Sequence, residues 1–326
     1  MIKVLELRPN PKSKSNGIDK YCNALNKLFL DDNDIMIYPI ADYPMNKGRI
    51  LKESYKKGVL VKLLSCDDID IIHINGFASF SVIQGFRYAK KAKKKIVYTP
   101  HWHPFEFLNH PFRAKVFFYM LLKPLVAKYA DVVVTLNDED TRFFKKIHNN
   151  VVRIPHWIED KISDHQPIEK VSNMVLFVGR VNDSNKGAEH LYHLSEGQYE
   201  IHCVGPCNRT LRSDMISHVN IPWEELNDLY AKASLLVVPS RYEAFSYVAL
   251  EALSHGTPVL LSDRVRIADY LGGVTGVFVF EYQNYGDFCN KVKEALSMRE
   301  KVNTNKVFEI FSEEKVKEKY RNIFCQ

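Results

Sequence analysis

Two carboxylates, Glu243 and Glu251, stand eight positions apart in the segment SRYEAFSYVALEALSHGTPVLLSD, and the residues between them are mostly apolar. A helix that faced solvent would carry more polar residues along such a stretch. The two side chains are therefore either ordinary charges at the start and on the surface of a helix, or groups that hold a ligand at the end of a helix.

The local pattern predicts where that helix begins and ends. LLVVPS, before the carboxylates, is typical of a buried strand, and a helix is expected from about Ser246 to His255. Gly256 suits the position after a helix, and Pro258 forbids its continuation. The first amides, near Phe245 to Val248, would lack intrahelical partners and would carry the positive end of the helix dipole, which favours phosphate.

Carboxylates on either side of this anion site suit a particular ligand. Glu243 precedes the amides, and Glu251 lies one turn inside the helix, on the side of Tyr247. Carboxylate oxygens accept paired hydrogen bonds from neighbouring hydroxyls. A phosphate centre flanked by two sugars would satisfy the amides and both glutamates, and a nucleotide sugar is such a ligand.

Two cations lie in the loop after another predicted strand. Arg180 and Lys186 occur in VLFVGRVNDSNKGAEHLYHL, where the strand ends at Gly179. Cations at the carboxyl edge of a parallel sheet can neutralise a diphosphate. The alternative is that both are solvated loop charges.

Short strands alternate with amphipathic helices along the whole chain. Strands such as IKVLEL and LLVVPS are rich in valine, isoleucine and leucine, which is typical of parallel sheets covered by helices. A polar segment, residues 158–173, separates two such series. The sequence therefore predicts an α/β fold with two Rossmann-like, doubly wound domains that face each other across a cleft, where ligands bind.

Composition supports two folded domains and gives them different charges. The 326 residues are 46% hydrophobic and 26% charged, which is enough for two full cores. Residues 1–155 hold 26 lysines and arginines against 15 acidic residues, while the remainder holds 19 against 24. The basic first half indicates an anionic partner, such as a membrane surface, a nucleic acid or a phosphate-bearing substrate.

The cysteines and the start of the chain indicate a cytoplasmic protein. Only Cys203 and Cys207 are close in sequence, and no cluster has the spacing of a zinc site. MIKVLELRPN is expected to be a strand rather than a signal peptide, and no run of about 18 apolar residues predicts a membrane span. We expect free thiols in a reducing cytoplasm.

Several motifs together resemble a known family. EAFSYVALEALSHGTPVL is similar to the E-x7-E signature of the retaining GT4 glycosyltransferases, which have the GT-B fold. VGRV followed by KG is similar to the Arg/Lys pyrophosphate clamp of that family. The resemblance covers Asn173 to the C-terminus well. It is looser in the first half, where SNGIDKYCNALNKL, DIDIIHING and IVYTPHWH agree in order and character.

The resemblance implies three segments and a role for each candidate in the second half. Residues 1–160 would bind the acceptor, residues 161–305 would bind the donor, and residues 306–326 would form a helix that crosses back onto the first domain. In the donor site, Glu243 would bind hydroxyls of the sugar and Glu251 the ribose. The pyrophosphate would be held by the following groups: Arg180, Lys186 and the main-chain amides of Phe245, Ser246 and Tyr247.

Candidates in the first half follow from the same resemblance. Gly17 would let a loop approach the phosphates closely, and His101 would face the donor sugar. His73, in IIHING, is expected to be structural. Asn16 stands where the family often has a first glycine, and Ser246 replaces the last glycine of E-G-F-G, although a serine can still cap the helix.

The implied reaction moves a sugar from a UDP- or GDP-linked donor to an acceptor hydroxyl with retention of anomeric configuration. It requires neither a metal nor another cofactor, since cations and the helix dipole can supply positive charge. The catalytic residues would be Glu243, His101, Arg180 and Lys186. We expect the leaving phosphate, rather than a carboxylate, to accept the proton of the acceptor, so that Glu243 positions the sugar.

Residues 86–130 combine basic and apolar side chains. Arg113, Lys115, Lys123 and Lys128 accompany residues expected to share one apolar face: Phe117, Phe118, Met120, Leu121 and Leu122. The segment is either a core helix with solvated lysines or a surface for an anionic membrane, where a lipid-linked glycan acceptor would lie. The second interpretation places the enzyme at the cytoplasmic face of the inner membrane, in the synthesis of envelope polysaccharide (lipopolysaccharide or capsule) or glycolipid.

Other functions remain open at this point. A nucleotide-sugar epimerase or a phosphorylase could use the same fold, and a non-catalytic protein could bind the same nucleotide sugar. Nucleic acid is not an expected partner, because the chain has no DNA-binding or RNA-binding motif. A dinucleotide-dependent dehydrogenase is excluded by the missing G-x-G-x-x-G after the first strand.

Overall fold

The computed structural model divides the chain into two compact units. The first consists of residues 1–156 and 313–326, and the second of residues 157–312. Each unit is built on a six-stranded sheet. The structure describes residues 1–8, 17–39, 44–45, 49–50, 68–77, 80–101, 111–158, 169–208 and 210–326.

Valine and isoleucine dominate the strands of the first unit, because most of them are covered on both faces. These strands are β1 (Ile2–Leu7), β2 (Ile35–Pro39), the short antiparallel pair β3 (Pro44–Met45) and β4 (Arg49–Ile50), β5 (Ile71–Asn75), β6 (Lys95–Thr99), β7 (Val132–Thr135) and β8 (Val151–Arg153). The main sheet has the order β2-β1-β5-β6-β7-β8, and each neighbouring pair is parallel.

Helices cover this sheet. They are α1 (Gly17–Leu28), α2 (Phe80–Lys91), α3 (Pro111–Phe117), a π-helical turn (Phe118–Leu122), α4 (Lys123–Tyr129) and α5 (Asp138–Lys145). Asn137 caps α5, since its side chain accepts a hydrogen bond of 2.7 Å from the amide of Asp140. Aromatic rings fill the core beneath the helices, where Tyr98 contacts both Phe86 and Phe144 edge to face.

The second unit repeats the architecture with a second parallel sheet. Its strands are β9 (Met174–Val178), β10 (Glu200–Val204), β11 (Met215–His218), β12 (Leu235–Val238), β13 (Val259–Ser262) and β14 (Val277–Phe280), in the order β11-β10-β9-β12-β13-β14. The edge strand β11 was not predicted, because MISH is short and half polar. The helices are α6 (Trp223–Lys232), α7 (Tyr247–Ser254), α8 (Tyr285–Leu296) and α9 (Thr304–Ile310), with 3₁₀ turns at Ala188–His193 and Arg266–Tyr270.

The last helix, α10 (Glu313–Cys325), belongs to the first unit. The Tyr320 and Tyr21 hydroxyls are 2.5 Å apart, and Arg321 bonds to Asp32 at 2.5 Å. Lys95 Nζ donates to the carbonyl of Ile323. The predicted return of the C-terminal helix is therefore present, and it begins at Glu313, because α9 still packs on α7 in the second unit.

The prediction that the apolar residues between Phe117 and Leu122 share one face is partly wrong. Phe118 and Leu122 are fully buried and belong to the core. The wider π-helical turn between them presents the three intervening side chains to solvent, and Met120 is 73% exposed. The exposed apolar residues of this region are Phe112, Val116, Tyr119, Met120 and Leu121.

Candidate functional site

Helix α7 forms as its sequence predicts. Ser246 is extended, with φ −148°, and its hydroxyl accepts a hydrogen bond from the Ala249 amide at 3.4 Å. Gly256 follows the helix with φ +70°, the left-handed conformation that favours glycine at this position. Apolar residues bury most of the helix, so its first turn is the part that can meet a ligand.

Glu243 is held just before this turn by main-chain pairing. Its amide donates to the carbonyl of Arg264 at 3.2 Å, and its carbonyl accepts from the amide of Arg266 at 3.0 Å. The side chain is only 11% exposed, and Oε1 accepts hydrogen bonds from Lys186 Nζ and from Ser240 Oγ, each 2.7 Å long. In the part of the chain that the structure describes, no residue hydrogen-bonds to Oε2.

The Lys186–Glu243 contact depends on two loops that are joined by hydrogen bonds. The amide of Arg241 donates to the carbonyl of Asn185 at 2.8 Å, and Asn185 Nδ2 donates to the carbonyl of Tyr242 at 3.2 Å. The sequence predicts that Lys186 binds the diphosphate and Glu243 the sugar, but it predicts neither their direct contact nor the hydrogen bond from Ser240. The position of Ser240 in the motif PSRYE, three residues before Glu243, could have indicated this hydrogen bond.

Glycine allows these loops to pack closely. Gly187 has φ +69°, and a Cβ there would lie 1.9 Å from the carbonyl oxygen of Pro239. Gly205 has φ +132°, and a Cβ there would lie 2.4 Å from the carbonyl oxygen of Gly179. The backbone of the loops after β9, β10 and β12 therefore meets at the carboxyl edge of the sheet, where no side chain could be added.

Arg180 lies in the same loop as Lys186 but has a different partner. Its guanidinium is 62% exposed and bonds to Asp183 through Nε at 3.1 Å and Nη2 at 2.5 Å. Although burial alone would raise it, hydrogen bonds from Arg180 and from the Asn185 amide hold the pKa of the Asp183 carboxyl below its usual value. An exposed pair of this kind contributes about 0–1 kcal/mol, so Arg180 can exchange it for a phosphate at little cost.

Glu251 is buried and held by a residue that sequence analysis missed. The Tyr230 hydroxyl, on α6, donates to Glu251 Oε2 at 2.8 Å. Burial and the neighbouring carboxylate raise the pKa of Tyr230 well above its usual value, so the tyrosine stays a donor. Phe245 contributes packing, since its buried ring contacts Tyr247, Tyr270 and Phe311 edge to face or at a steep angle.

The first unit holds the two remaining candidates. Gly17 begins α1, and a Cβ there would meet no atom within 4 Å. His101 follows β6 with φ +57°, and its Nε2 lies 2.9 Å from Asn75 Oδ1. Burial, then the neighbouring His156 and His73, hold the pKa of His101 well below its usual value, so the ring is neutral.

Two further histidines surround the same place. His73 is fully buried and contacts the Thr99 hydroxyl at 2.8 Å, which confirms its predicted structural role. His156, to which the sequence assigned nothing, packs against the ring of Tyr21 at 5.3 Å. Burial lowers the pKa of each of these histidines to about 3. His103, the last residue of IVYTPHWH, and Asn16 lie outside the described residues.

The described residues show neither a metal-binding cluster nor a membrane-spanning helix. No group of three or more His, Cys, Asp or Glu side chains is arranged there to hold a metal ion. The described helices include none with both the length and the apolar composition that crossing a lipid bilayer requires.

Known proteins resemble this chain in sequence and in architecture. Residues 172–298 match the family described as "Glycosyl transferases group 1". A relative from Klebsiella pneumoniae, described as an uncharacterized 41.2 kDa protein in a cps region, is 25% identical over 263 residues, which are 73% of this chain and 71% of that protein.

Solved structures share the fold at low identity. Sucrose-phosphate synthase from Thermosynechococcus elongatus has a TM-score of 0.75 and 16% identity, and the match covers all of both chains. HepE from Anabaena, in complex with UDP-glucose, has a TM-score of 0.70 and 14% identity, again over all of both chains. These likenesses confirm the predicted α/β architecture of the GT-B type.

Proposed function

We propose that the chain, whose residues 172–298 match the group 1 glycosyltransferases, is a GT-B hexosyltransferase that transfers a sugar with retention of configuration and without a metal ion. The donor is UDP- or GDP-linked, and the acceptor is a hydroxyl of a glycan. The observation that carries the proposal is the contact of Lys186 with Glu243 beside the capped start of α7.

Each group at this edge suits one part of such a donor. The amides at the start of α7 and the ammonium of Lys186 suit the diphosphate, because both supply positive charge. Lysine has three donors, so Lys186 can bind a phosphate oxygen and keep its bond to Glu243. Glu243 Oε2 accepts hydroxyls of the sugar, and Glu251 accepts those of the ribose. The Anabaena structure solved with UDP-glucose supports a donor of this class.

The proposed chemistry takes place at the anomeric carbon. The bond from this carbon to the diphosphate oxygen breaks, and the acceptor oxygen forms its bond on the same face of the sugar. The leaving diphosphate accepts the proton of the acceptor hydroxyl, so charge and atoms balance. Lys186, Arg180 and the helix amides stabilise the negative charge that develops on the leaving group. Glu243, whose Oε1 is held by Lys186 and Ser240, orients the sugar.

Donor binding and transfer are tested in two steps. Thermal unfolding is measured with a panel of nucleotide sugars, and a UDP- or GDP-linked sugar is expected to raise the melting temperature, since a ligand stabilises the state that binds it. Transfer to a glycan is then followed by mass spectrometry. No stabilisation by any nucleotide sugar would contradict the proposal, and donor conversion without an acceptor product would indicate an epimerase or a phosphorylase instead.

A matched pair of variants tests the part played by Glu243. Glu243→Gln is expected to lower turnover by about 100-fold or more, because the amide binds neither Lys186 nor sugar hydroxyls as a carboxylate does. Glu294→Gln is the control, since Glu294 forms a lysine contact of the same length, 2.7 Å, with Lys291 on the exposed surface of α8. A glycosyl ester trapped on Glu243 would overturn the positioning role.

The acceptor is proposed to be a lipid-linked glycan of envelope polysaccharide or glycolipid synthesis, at the cytoplasmic face of the inner membrane. Support comes from the surface of α3 and the π-helical turn, where Phe112 is 77% and Met120 73% exposed. Lys123 lies over the Tyr119 ring at 5.2 Å, so cations flank the apolar side chains. This mixture suits an interface with anionic lipid. The Klebsiella relative, described by its cps region, supports the polysaccharide part.

Flotation with liposomes tests the membrane contact. The protein is expected to float with vesicles that contain anionic lipid at low salt, and to float less at high salt because salt screens the attraction. Met120→Ser should reduce flotation without changing the melting temperature, since the side chain is exposed. Val279→Ser, an exposed apolar residue of the second unit, is the control. No binding to anionic vesicles at low salt would contradict the contact.

A further inference from the structure

Polar side chains line the carboxyl end of the first unit's sheet, although this region is buried. Asn75 ends β5, Thr99 ends β6, and the two residues are direct neighbours in the parallel pairing. Both are fully buried, as is His73. Buried polar groups are costly unless they are hydrogen-bonded or serve a function. In the described part of the chain, Asn75 Nδ2 and His73 Nδ1 have no hydrogen-bond partner.

His101 is held by this group in an unusual conformation. Its φ of +57° is left-handed, which residues other than glycine adopt rarely, and such strain often marks a functional position. The ring of Tyr21 meets it edge to face at 4.4 Å, and that of His156 lies parallel at 6.3 Å. Asn75 Oδ1 supplies the polar contact, 2.9 Å from Nε2. The side chain is therefore fixed on three sides.

The contact with Asn75 determines which ring nitrogen carries the proton. A neutral imidazole has one N–H and one lone pair, and a carbonyl oxygen can only accept. Nε2 must then donate to Asn75 Oδ1, and Nδ1 must carry the lone pair. Among the residues that the structure describes, none hydrogen-bonds to Nδ1. His101 therefore offers an acceptor at Nδ1.

We propose that Asn75 is a positioning residue for sugar transfer, which keeps the proton of His101 on Nε2 so that Nδ1 accepts a hydrogen bond from a substrate hydroxyl. The proposal rests on the proposed function and on the expectation from the sequence that His101 binds substrate. Positive charge develops on the sugar as the leaving group departs. A neutral acceptor does not oppose this charge, whereas an imidazolium would.

The wild-type protein provides the first test. Long-range ¹H–¹⁵N correlation spectra of the imidazole rings, assigned with the His101→Gln variant, show which nitrogen is protonated. We expect His101 to be neutral and protonated on Nε2 between pH 6 and pH 8. In Asn75→Leu we expect a mixture of rings protonated on Nε2 and on Nδ1. Protonation on Nδ1 in the wild type, or an unchanged spectrum in the variant, would overturn the proposal. This measurement needs no transfer activity, so it is separate from the test of the proposed function.

A double-mutant cycle provides the second test. Asn75→Leu is expected to lower kcat by about 10- to 100-fold with little change in the donor KM, because a misplaced group loses mainly transition-state stabilisation. In the His101→Ala background the same change should have almost no further effect on kcat. An equal loss in both backgrounds would assign Asn75 a merely structural role. Asn137→Ala is the control. It removes the buried cap of α5, the helix that follows β7, and should lower the melting temperature but leave the His101 spectrum unchanged.

Discussion

The carboxyl edge of the second unit's sheet carries charged side chains in contact with one another, whereas the ends of β5 and β6 in the first unit's sheet carry uncharged ones. Lys186 bonds to Glu243, and Arg180 bonds to Asp183. Around Tyr21, by contrast, burial keeps His73 and His156 neutral, with pKa values of about 3. The two units have the same architecture, so the difference lies in the residues that follow the strands.

The difference corresponds to the two charges of the proposed reaction. Negative charge grows on the leaving diphosphate, and the second unit supplies cations and helix amides for it. Positive charge grows on the sugar, and a neutral hydrogen-bonding group does not oppose it, whereas a cation would. Removal of charge should therefore matter most in the second unit, and addition of charge should matter most in the first.

The largest effect is expected from Lys186→Ala. Loss of one group that stabilises developing negative charge typically costs about 10²- to 10³-fold in rate. The substitution also removes one of the two described hydrogen bonds to Glu243 Oε1, so both kcat and the donor KM should change. Steady-state kinetics measure the effect. Lys291→Ala, which breaks an equally short contact on the surface, is the control and should remain at the wild-type rate.

The packing of the charged loop is tested by Gly187→Ala. An alanine would need a left-handed backbone, and its Cβ would lie 1.9 Å from the Pro239 oxygen, so the loop must shift. We expect the free energy of unfolding to fall by about 3 kcal/mol. Gly197→Ala is the matched control, since Gly197 has φ +71° but open space around it. It should lose only about 1 kcal/mol in the same urea titration. Equal losses would show that backbone conformation alone requires Gly187.

The pH dependence of stability tests the buried, uncharged histidines His73 and His156. Burial lowers the pKa of His73 and His156 to about 3, from 6.5 for the free side chain. Below pH 6.5 the unfolded chain takes up protons that the folded protein does not, so stability falls as the pH drops from 6.5 toward 3. In this range each histidine lowers the free energy of unfolding by about 1.4 kcal/mol per pH unit. Urea unfolding at pH 6.5 and pH 5.0 should show the loss, and His73→Gln should reduce it by about 2 kcal/mol.

The effect of Glu6 on the pH dependence of stability has the opposite sign, so Glu6 serves as the control. Burial raises its pKa to about 7, so the folded protein binds this proton before the unfolded chain does, and stability from Glu6 increases as the pH falls from 7 to 4.5. Glu6→Gln should therefore steepen the acid loss that His73→Gln reduces. Changes of the same sign in both variants would show that the two groups do not titrate as their burial requires.

Sequence predicted the charged edge far better than the neutral one. The end of α7 follows from Gly256 and Pro258, which act locally, and Ser246 caps its start in the structure. The Lys186–Glu243 contact could not be predicted from spacing, because it joins residues 57 positions apart through loops whose packing depends on Gly187. Likewise, Asn75 and His101 meet because β5 and β6 are neighbours, and no local pattern encodes that pairing.

Solvent exposure was the other property that the sequence did not determine. Phe118 and Met120 are both large and apolar, and the sequence placed them on one face. The π-helical turn buries the first and exposes the second. Periodicity assumes a regular helix, so an extra residue in one turn changes which side chains face the core.

The smallest effect is expected from Tyr230→Phe, which alters the charged edge without removing a charge. The variant loses the 2.8 Å hydrogen bond to the buried Glu251, and a hydrogen bond to a charged group contributes about 1.5–3 kcal/mol to stability. Because Glu251 is proposed to hold the ribose equally in the ground state and the transition state, the donor KM should rise less than about tenfold while kcat stays constant. Tyr192→Phe, at an exposed tyrosine of the same unit, should change neither. A fall in kcat as large as the rise in KM would mean that Glu251 also takes part in the chemical step, and the charged edge would then act as one unit rather than as separate binding groups.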